Sequence, residues 1–114
     1  VDFWASWCGP CKRQFPAAKT LKEQLSSKQK MQIVFVYISI DENSDAWQKA
    51  IDQYQIDGIH AISKRAWDKS VSSVFGIASI PRYMLINKNG EIVDNNAKRP
   101  STPGILDDLI KLLD

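Results

Sequence analysis

The sequence has few residues of the kinds that bind metal ions, because its 114 residues include only two cysteines and one histidine. Zinc normally takes four ligands, often two cysteine pairs or one pair with histidines, so a dedicated zinc site is disfavoured. An excess of charge is also missing: the formal net charge is +2, and the basic residues are scattered. We therefore expect no nucleic-acid partner and no contact of this domain itself with a membrane.

Long apolar runs are absent too, since none approaches the roughly 20 residues that cross a bilayer. The hydrophobic share of 44% and the charged share of 25% are ordinary for a globular protein. This length predicts one domain, residues 1–114, whose core needs no disulfide support. An initial methionine is also lacking. Val1 already lies in an apolar run, which we interpret as a processed protein or an excised domain.

Strand and helix periodicities alternate along the chain, which predicts an α/β fold with a mixed central sheet and helices on both faces. Asn89-Gly90 between two apolar runs indicates a hairpin, which would supply the antiparallel pair. Pro16 should kink the first helix, because proline removes a backbone donor. The predicted elements are a strand (1–5), a helix (11–28), a strand (32–40), a helix (43–54), a short extended piece (58–63), a weaker helix (66–77), the hairpin (80–93), a loop (94–101) and a helix (101–113).

Both cysteines lie in one short segment, Cys8 and Cys11, where a predicted strand leads into a predicted helix. This spacing lets them form a disulfide or share a metal. A structural cross-link that closes so short a loop would restrict the unfolded chain little. Redox chemistry fits best, because free amides and the dipole at a helix start lower the pKa of the first thiol. Cys8 is then the nucleophile, and Cys11, one turn further along, resolves the mixed disulfide.

The residues around the cysteines suit the approach of another chain. Gly9 leaves room for a partner backbone, and Pro10 fixes the helix start. Trp7 directly precedes Cys8 and is a candidate part of a substrate platform. We therefore assign Trp7, Gly9 and Pro10 to substrate binding.

Two segments resemble the thioredoxin superfamily. "DFWASWCGPCK" is similar to its active-site segment, and "GIASIPRYMLINKNGEIV" is similar to its second signature. Residues 36–77 resemble the inserted helix and strand of the TlpA/ResA-like branch, which consists of bacterial thiol-disulfide oxidoreductases. The resemblance implies a thioredoxin fold whose N-terminal strand or strands precede Val1.

The resemblance also implies an activity: exchange of the Cys8–Cys11 dithiol with protein disulfides, with no other cofactor. The Gly-Pro spacer resembles the thioredoxin dipeptide and favours a reductase. The expected partners are disulfide-containing proteins and an electron-donor protein, the expected state is a monomer, and the expected location is extracytoplasmic. A thiol oxidase or isomerase of the same fold and a redox-inactive binding module remain alternatives.

The resemblance places a buried acid below the cysteines, and Asp2 occupies that position. Its implied role is to take the proton of Cys11 during resolution, and desolvation would raise its pKa toward a useful range. The alternative is an exposed carboxylate near a frayed chain end. Burial of Asp2 therefore separates the two interpretations.

Two further positions follow from the same resemblance. It implies that the Ile80–Pro81 bond is cis and faces the cysteines, which would expose the backbone of Ile80 for strand-like pairing with a substrate. The alternative is a proline that merely starts a strand. The resemblance also implies an acidic residue near the site, for which Glu42 fits better than Asp41. Glu42 could equally be a solvated acid or a helix cap.

Overall fold

The computed structural model describes residues 1–65 and 71–114. Within these ranges the strands and helices follow one another in the order β1 (Asp2–Trp4), α1 (Gly9–Arg13), α2 (Phe15–Glu23), α3 (Ser27–Gln32), β2 (Val36–Ser39), α4 (Ser44–Tyr54), β3 (Ile59–Ile62), α5 (Val71–Phe75), β4 (Arg82–Tyr83), β5 (Leu85–Ile86), β6 (Ile92–Asp94) and α6 (Ile105–Lys111).

Four strands form the main sheet in the order β3-β2-β1-β4. β1 is parallel to β2, β2 is parallel to β3, and β4 is antiparallel to β1. The predicted mixed sheet is therefore confirmed, and its antiparallel member is β4, which lies at the start of the segment predicted as a hairpin (80–93) and pairs with β1. β1 lies inside the sheet at the very start of the chain, and each of its residues is buried.

The hairpin predicted around Asn89-Gly90 forms a separate two-stranded sheet, in which β5 pairs antiparallel to β6. The Asn87 side-chain oxygen accepts hydrogen bonds from the amides of Asn89 and Glu91, both at 3.0 Å. Gly90 has φ +83°, a conformation that favours glycine. The turn chemistry was thus predictable, whereas the separation of the hairpin from the main sheet was not.

The helix predicted over residues 11–28 is divided into α1 and α2, with Gln14 between them. Pro16 occupies the first turn of α2, where its missing amide hydrogen costs nothing. The proline therefore starts a second helix instead of kinking one. The predicted apolar stripe is confirmed, since all four of its members are buried: Phe15, Ala18, Leu21 and Leu25.

The strand predicted over residues 32–40 is shorter, because α3 extends to Gln32 and β2 begins at Val36. Ser26 starts α3 with a capping box: its hydroxyl accepts the Gln29 amide at 3.1 Å, and the Gln29 side chain accepts the Ser26 amide at 2.8 Å. This S-x-x-Q pattern is a known helix start. Along β2 buried residues alternate with half-buried ones, and the half-buried Ile38 packs against the core, so the second face of this strand is covered only in part.

Two later helices also differ from expectation. Of the helix predicted over 66–77, the structure gives α5, and residues 66–70 with Trp67 lie outside the described ranges. The last helix begins at Ile105 after Gly104, not at a Ser101 or Thr102 cap. In the described part of the chain, no helix has the length and apolar character needed to span a membrane.

The core lies on both sides of β1. Trp4 packs edge-on against Phe15 of α2 with ring centroids 5.4 Å apart, while the next residue back, Phe3, packs against Phe75 of α5 at 5.6 Å. Successive strand residues face opposite sides of a sheet, so these contacts show helices on both faces. Cys8 and Cys11 belong to the same buried cluster as Phe3 and Trp4, which places the candidate site directly on the core.

We expect Gly58→Ala to destabilise the fold, because β3 approaches β2 closely at this point. A Cβ atom at residue 58 would lie 2.7 Å from the Phe35 carbonyl oxygen and 2.8 Å from a Tyr37 ring carbon. Such overpacking costs about 1–3 kcal/mol. Chemical denaturation of both proteins measures this cost. An unchanged denaturation midpoint would show that the backbone around Phe35 and Tyr37 shifts to admit the methyl group without loss of stability.

Candidate functional site

The site is built where β1 turns into α1. Residues 5–7 form the connection, and the Cys8 amide donates to the Ala5 carbonyl at 3.0 Å. Cys8 is the N-cap of α1 and Pro10 lies in its first turn. Cys8 and Cys11 form a disulfide with an S–S distance of 2.15 Å and Cα atoms 5.3 Å apart. A tight turn and one helical turn are therefore enough to join the two sulfur atoms.

The two cysteines differ in burial and in hydrogen bonding. Cys11 is fully buried, with 0% of its surface exposed, whereas Cys8 retains 5%. The Cys11 amide donates to Cys8 Sγ at 3.2 Å, and a backbone donor aimed at sulfur favours the negatively charged form of a thiol. Cys8 thus keeps a small exposed fraction and receives a backbone hydrogen bond on its sulfur, while Cys11 is completely enclosed.

Asp2 is buried, with 8% of its surface exposed, so the alternative of an exposed acid at a frayed end is wrong. Burial raises the pKa of the Asp2 carboxyl to about 7, and the Val1 ammonium and Lys22 oppose this effect. Within the described ranges, Asp2 Oδ1 has no hydrogen-bond partner. The residue next to the chain start is therefore a buried carboxyl group that changes charge near neutral pH.

The surroundings of Asp2 explain its high pKa. It pairs in register with Tyr37 on β2 and Tyr83 on β4, and burial raises the pKa of both phenols. Asp2 also lines a cavity of about 390 Å³ whose other walls include Leu21 and Leu109. Apolar walls of this kind penalise the charged carboxylate.

The Ile80–Pro81 peptide bond is cis. Ile80 is half-buried and packs against the core cluster that contains Cys8 and Cys11. Pro81 is half-buried and immediately precedes β4, which pairs with β1. The fold thus brings this distant segment to the same core cluster as the disulfide.

The remaining predicted contact residues surround Cys8 at the surface. Trp7 is a large exposed apolar side chain, with 63% of its surface accessible. Pro10 is exposed and Gly9 is half-buried. These three residues flank Cys8 in sequence and are called the rim below, whereas Cys8 itself retains only 5% of its surface.

The structure places the two neighbouring acids Glu42 and Asp41 in different surroundings. Glu42 is exposed, whereas Asp41 retains only 1% of its surface. Asp41 accepts hydrogen bonds from the Ser6 amide at 2.9 Å and from the Ser6 hydroxyl at 2.7 Å. It also accepts one from Ser39 Oγ at 2.5 Å. The acid that is hydrogen-bonded to the cysteine loop is therefore Asp41, which the sequence interpretation ranked below Glu42.

Comparisons with known proteins agree with this geometry. A family model described as thioredoxin-like matches residues 1–92. Thioredoxin 1 of Chlorobaculum tepidum is 39% identical over 62 residues, which are 54% of this chain and 54% of that protein. The thiol-disulfide oxidoreductase ResA of Bacillus anthracis is 26% identical over 94 residues, which are 82% of this chain and 51% of that protein. The chain thus spans about half the length of these curated relatives.

A solved structure is similar over nearly the whole chain. It is the solution structure of a Bacteroides vulgatus protein provisionally assigned as a thiol-disulfide oxidoreductase. The TM-score is 0.81 at 36% identity, and the match covers 98% of this chain and 70% of that one. The similarity extends to β4 and α6, which lie far from the cysteines in sequence.

Proposed function

This chain belongs to the thioredoxin-like family, and from that premise we propose that it is a thiol-disulfide oxidoreductase that acts on protein disulfides through Cys8 and Cys11. The observation that carries the proposal is the asymmetric disulfide at the start of α1. Cys8 keeps a small exposed fraction and accepts a backbone hydrogen bond, and Cys11 is enclosed. No further cofactor is needed, because the two thiols supply both electrons.

In the first step, the Cys8 thiolate of the reduced protein attacks one sulfur of a substrate disulfide. An enzyme–substrate S–S bond forms, the substrate S–S bond breaks, and the second substrate sulfur leaves as a thiolate. The Cys11 amide, 3.2 Å from Cys8 Sγ, stabilises the attacking thiolate. This arrangement supports Cys8 as the nucleophile.

In the second step, the Cys11 thiol loses its proton and attacks Cys8 Sγ. The Cys8–Cys11 bond forms, the mixed disulfide breaks, and the substrate leaves as a dithiol that has gained two electrons. We assign the proton acceptor as Asp2, whose raised pKa of about 7 suits a base at neutral pH. A dithiol protein must then reduce the Cys8–Cys11 bond before the next cycle.

The substrate chain is proposed to lie across the rim. The half-buried Ile80, next to the cis Pro81, would offer its backbone groups for strand-like pairing. Trp7 and Pro10 supply exposed apolar contact, and Gly9 allows close approach. Glu42 is exposed, so it remains only a peripheral candidate.

We propose that the net direction is reduction of substrates. The Gly9-Pro10 spacer, which resembles the thioredoxin dipeptide, supports this direction. A measured reduction potential below about −200 mV is expected, and a value above it would indicate an oxidase or isomerase.

We propose an extracytoplasmic location and a monomeric protein. The likeness of residues 36–77 to the TlpA/ResA-like branch supports the location, and within this range Ser44–Tyr54 form α4 and Ile59–Ile62 form β3, which pairs with β2. Fractionation of cells that produce the full-length protein tests it. Recovery of the protein in the cytoplasmic fraction would contradict the proposed location.

Reduction of insulin by dithiothreitol tests the activity. We expect the protein to accelerate insulin precipitation, and we expect Cys8→Ser to give only the rate of dithiothreitol alone, because the nucleophile is lost. Circular dichroism of the variant controls for folding. Equal rates for the two folded proteins would favour a redox-inactive binding module instead.

A further inference from the structure

A buried carboxylate at the end of β2 contacts the loop before the nucleophile. Asp41 follows β2 by two positions and is almost completely buried. Its Oδ1 atom accepts the Ser6 hydroxyl, and its Oδ2 atom accepts both the Ser6 amide and the Ser39 hydroxyl. A buried carboxylate is costly unless it is hydrogen-bonded, and here three donors satisfy it.

The Ser39 hydroxyl completes the arrangement, because it also accepts the Asp41 backbone amide at 2.9 Å. Ser39 is the last residue of β2 and is fully buried. The orientation of the carboxylate is therefore fixed by the strand itself. Asp41 is a rigid acceptor against which another segment can be held.

The segment that it holds is the turn that leads to Cys8. Ser6 lies between Ala5, whose carbonyl accepts the Cys8 amide at 3.0 Å, and the exposed Trp7. Ser6 offers Asp41 both a backbone and a side-chain donor. Two bonds to one residue restrict both its position and its rotation, so they restrict its neighbour Trp7 as well.

We propose that Asp41 is a positioning residue that acts through Ser6 to hold Trp7 and Cys8 in the arrangement that receives a protein substrate. The inference rests on the proposed oxidoreductase function and deepens it. Asp41 itself touches no reacting atom. It governs docking of large substrates, because a small disulfide needs access only to Cys8 Sγ, whereas a folded or extended chain must also fit the rim.

Asp41→Asn is the informative change, because it keeps the shape and alters the hydrogen bonding. An amide has one acceptor oxygen and presents donor hydrogens in place of the other. The asparagine side chain therefore has one oxygen atom where the carboxylate has two, so it cannot accept every hydrogen bond from Ser6 and Ser39. A buried donor that loses its acceptor is unfavourable. The turn is expected to relax while β2 remains paired.

The experiment compares the reduced protein with two oxidants, insulin and 5,5′-dithiobis(2-nitrobenzoate), by stopped-flow kinetics. For Asp41→Asn we expect the second-order rate constant with insulin to fall about tenfold, the effect of losing a charge-assisted hydrogen bond. The constant with the small disulfide should change less than about twofold, since Cys8 keeps its backbone donor. Ser6→Ala should give a smaller fall with insulin, and Ser6→Thr should restore the rate.

Asp45→Asn is the matched control, because Asp45 is an exposed carboxylate four residues away in the first turn of α4. It should leave both rate constants unchanged. The double variant of Asp41 and Ser6 should lose less than the product of the single effects, because both act through one contact.

The positioning role would be overturned if Asp41→Asn lowered the rate constants with insulin and with the small disulfide equally. It would also be overturned if the effects of the Asp41 and Ser6 substitutions were independent. Thermal unfolding of each variant shows whether such a fall reflects loss of folded protein. Failure of the proposed function looks different. In that case the wild-type protein itself would react no faster with insulin than Cys8→Ser does.

Discussion

A Cys11→Ser variant should accumulate a covalent complex with insulin chains through Cys8, whereas Cys8→Ser should form none. The reason is the proposed order of attack, in which Cys8, the residue that keeps 5% of its surface, reacts before the fully enclosed Cys11. Without Cys11, the mixed disulfide has no internal thiol to resolve it. Non-reducing electrophoresis and intact-mass measurement of the complex would identify it.

The two cysteine variants are matched controls for each other. Each removes the same short cross-link, so each loses the same constraint on the unfolded chain. A difference between them therefore reports chemistry rather than stability. If Cys8→Ser traps the substrate and Cys11→Ser does not, the order of attack is the reverse of the one assigned. If both variants trap it equally, neither cysteine is the preferred nucleophile.

Asp2→Asn is expected to make the protein more stable at neutral and alkaline pH. The pKa of Asp2 is about 7 in the folded protein, compared with an ordinary value of 3.8. Between these values the unfolded chain has lost the proton that the folded chain keeps, so stability falls as pH rises through this window. Above it the full penalty of a buried charge is present. The amide avoids that penalty.

The expected gain for Asp2→Asn is on the order of 2–4 kcal/mol near pH 8 and close to zero near pH 3 to 4. Denaturant unfolding of both proteins across this range measures it. Asp45→Asn serves as the control, because that carboxylate is exposed. A gain that does not vary with pH would show that the effect comes from packing and not from the charge of Asp2.

Asp2→Asn should also slow the resolution of the mixed disulfide by Cys11. Loss of a general base typically costs on the order of 10²-fold in rate, and the pH dependence of resolution centred near 7 should disappear with Asp2. Decay of a preformed Cys8 mixed disulfide gives this rate directly. If the inflection persists in Asp2→Asn, another group accepts the Cys11 proton.

The cysteine site was predictable because its determinants are local. A strand, a glycine-proline turn and a helix start lie within the first 11 residues, and these fix the N-cap position of Cys8. Pro16 was noticed for the same reason, although its effect differed: it starts α2 after Gln14. Local chemistry thus indicated the types of the elements, but not that the helix predicted over 11–28 would be divided or that α3 would follow it.

Properties that depend on distant strands were harder to predict. Burial of Asp2 depends on β2 and β4 pairing on either side of it, through Tyr37 and Tyr83. The choice between Asp41 and Glu42 depends on which of two adjacent side chains turns inward. Ser39 and Asp41 are two residues apart, which in an extended chain places them on one face. That spacing was a usable signal for Asp41.

The bonds between Asp41 and Ser6 join the ends of two neighbouring strands. As a result, the cysteine loop is not an interchangeable module. A designer who transplants residues 5–11 onto another scaffold should bring along the acceptor that lies more than thirty positions later, at residue 41. Conversely, a foreign loop grafted here needs a residue that can donate twice at position 6.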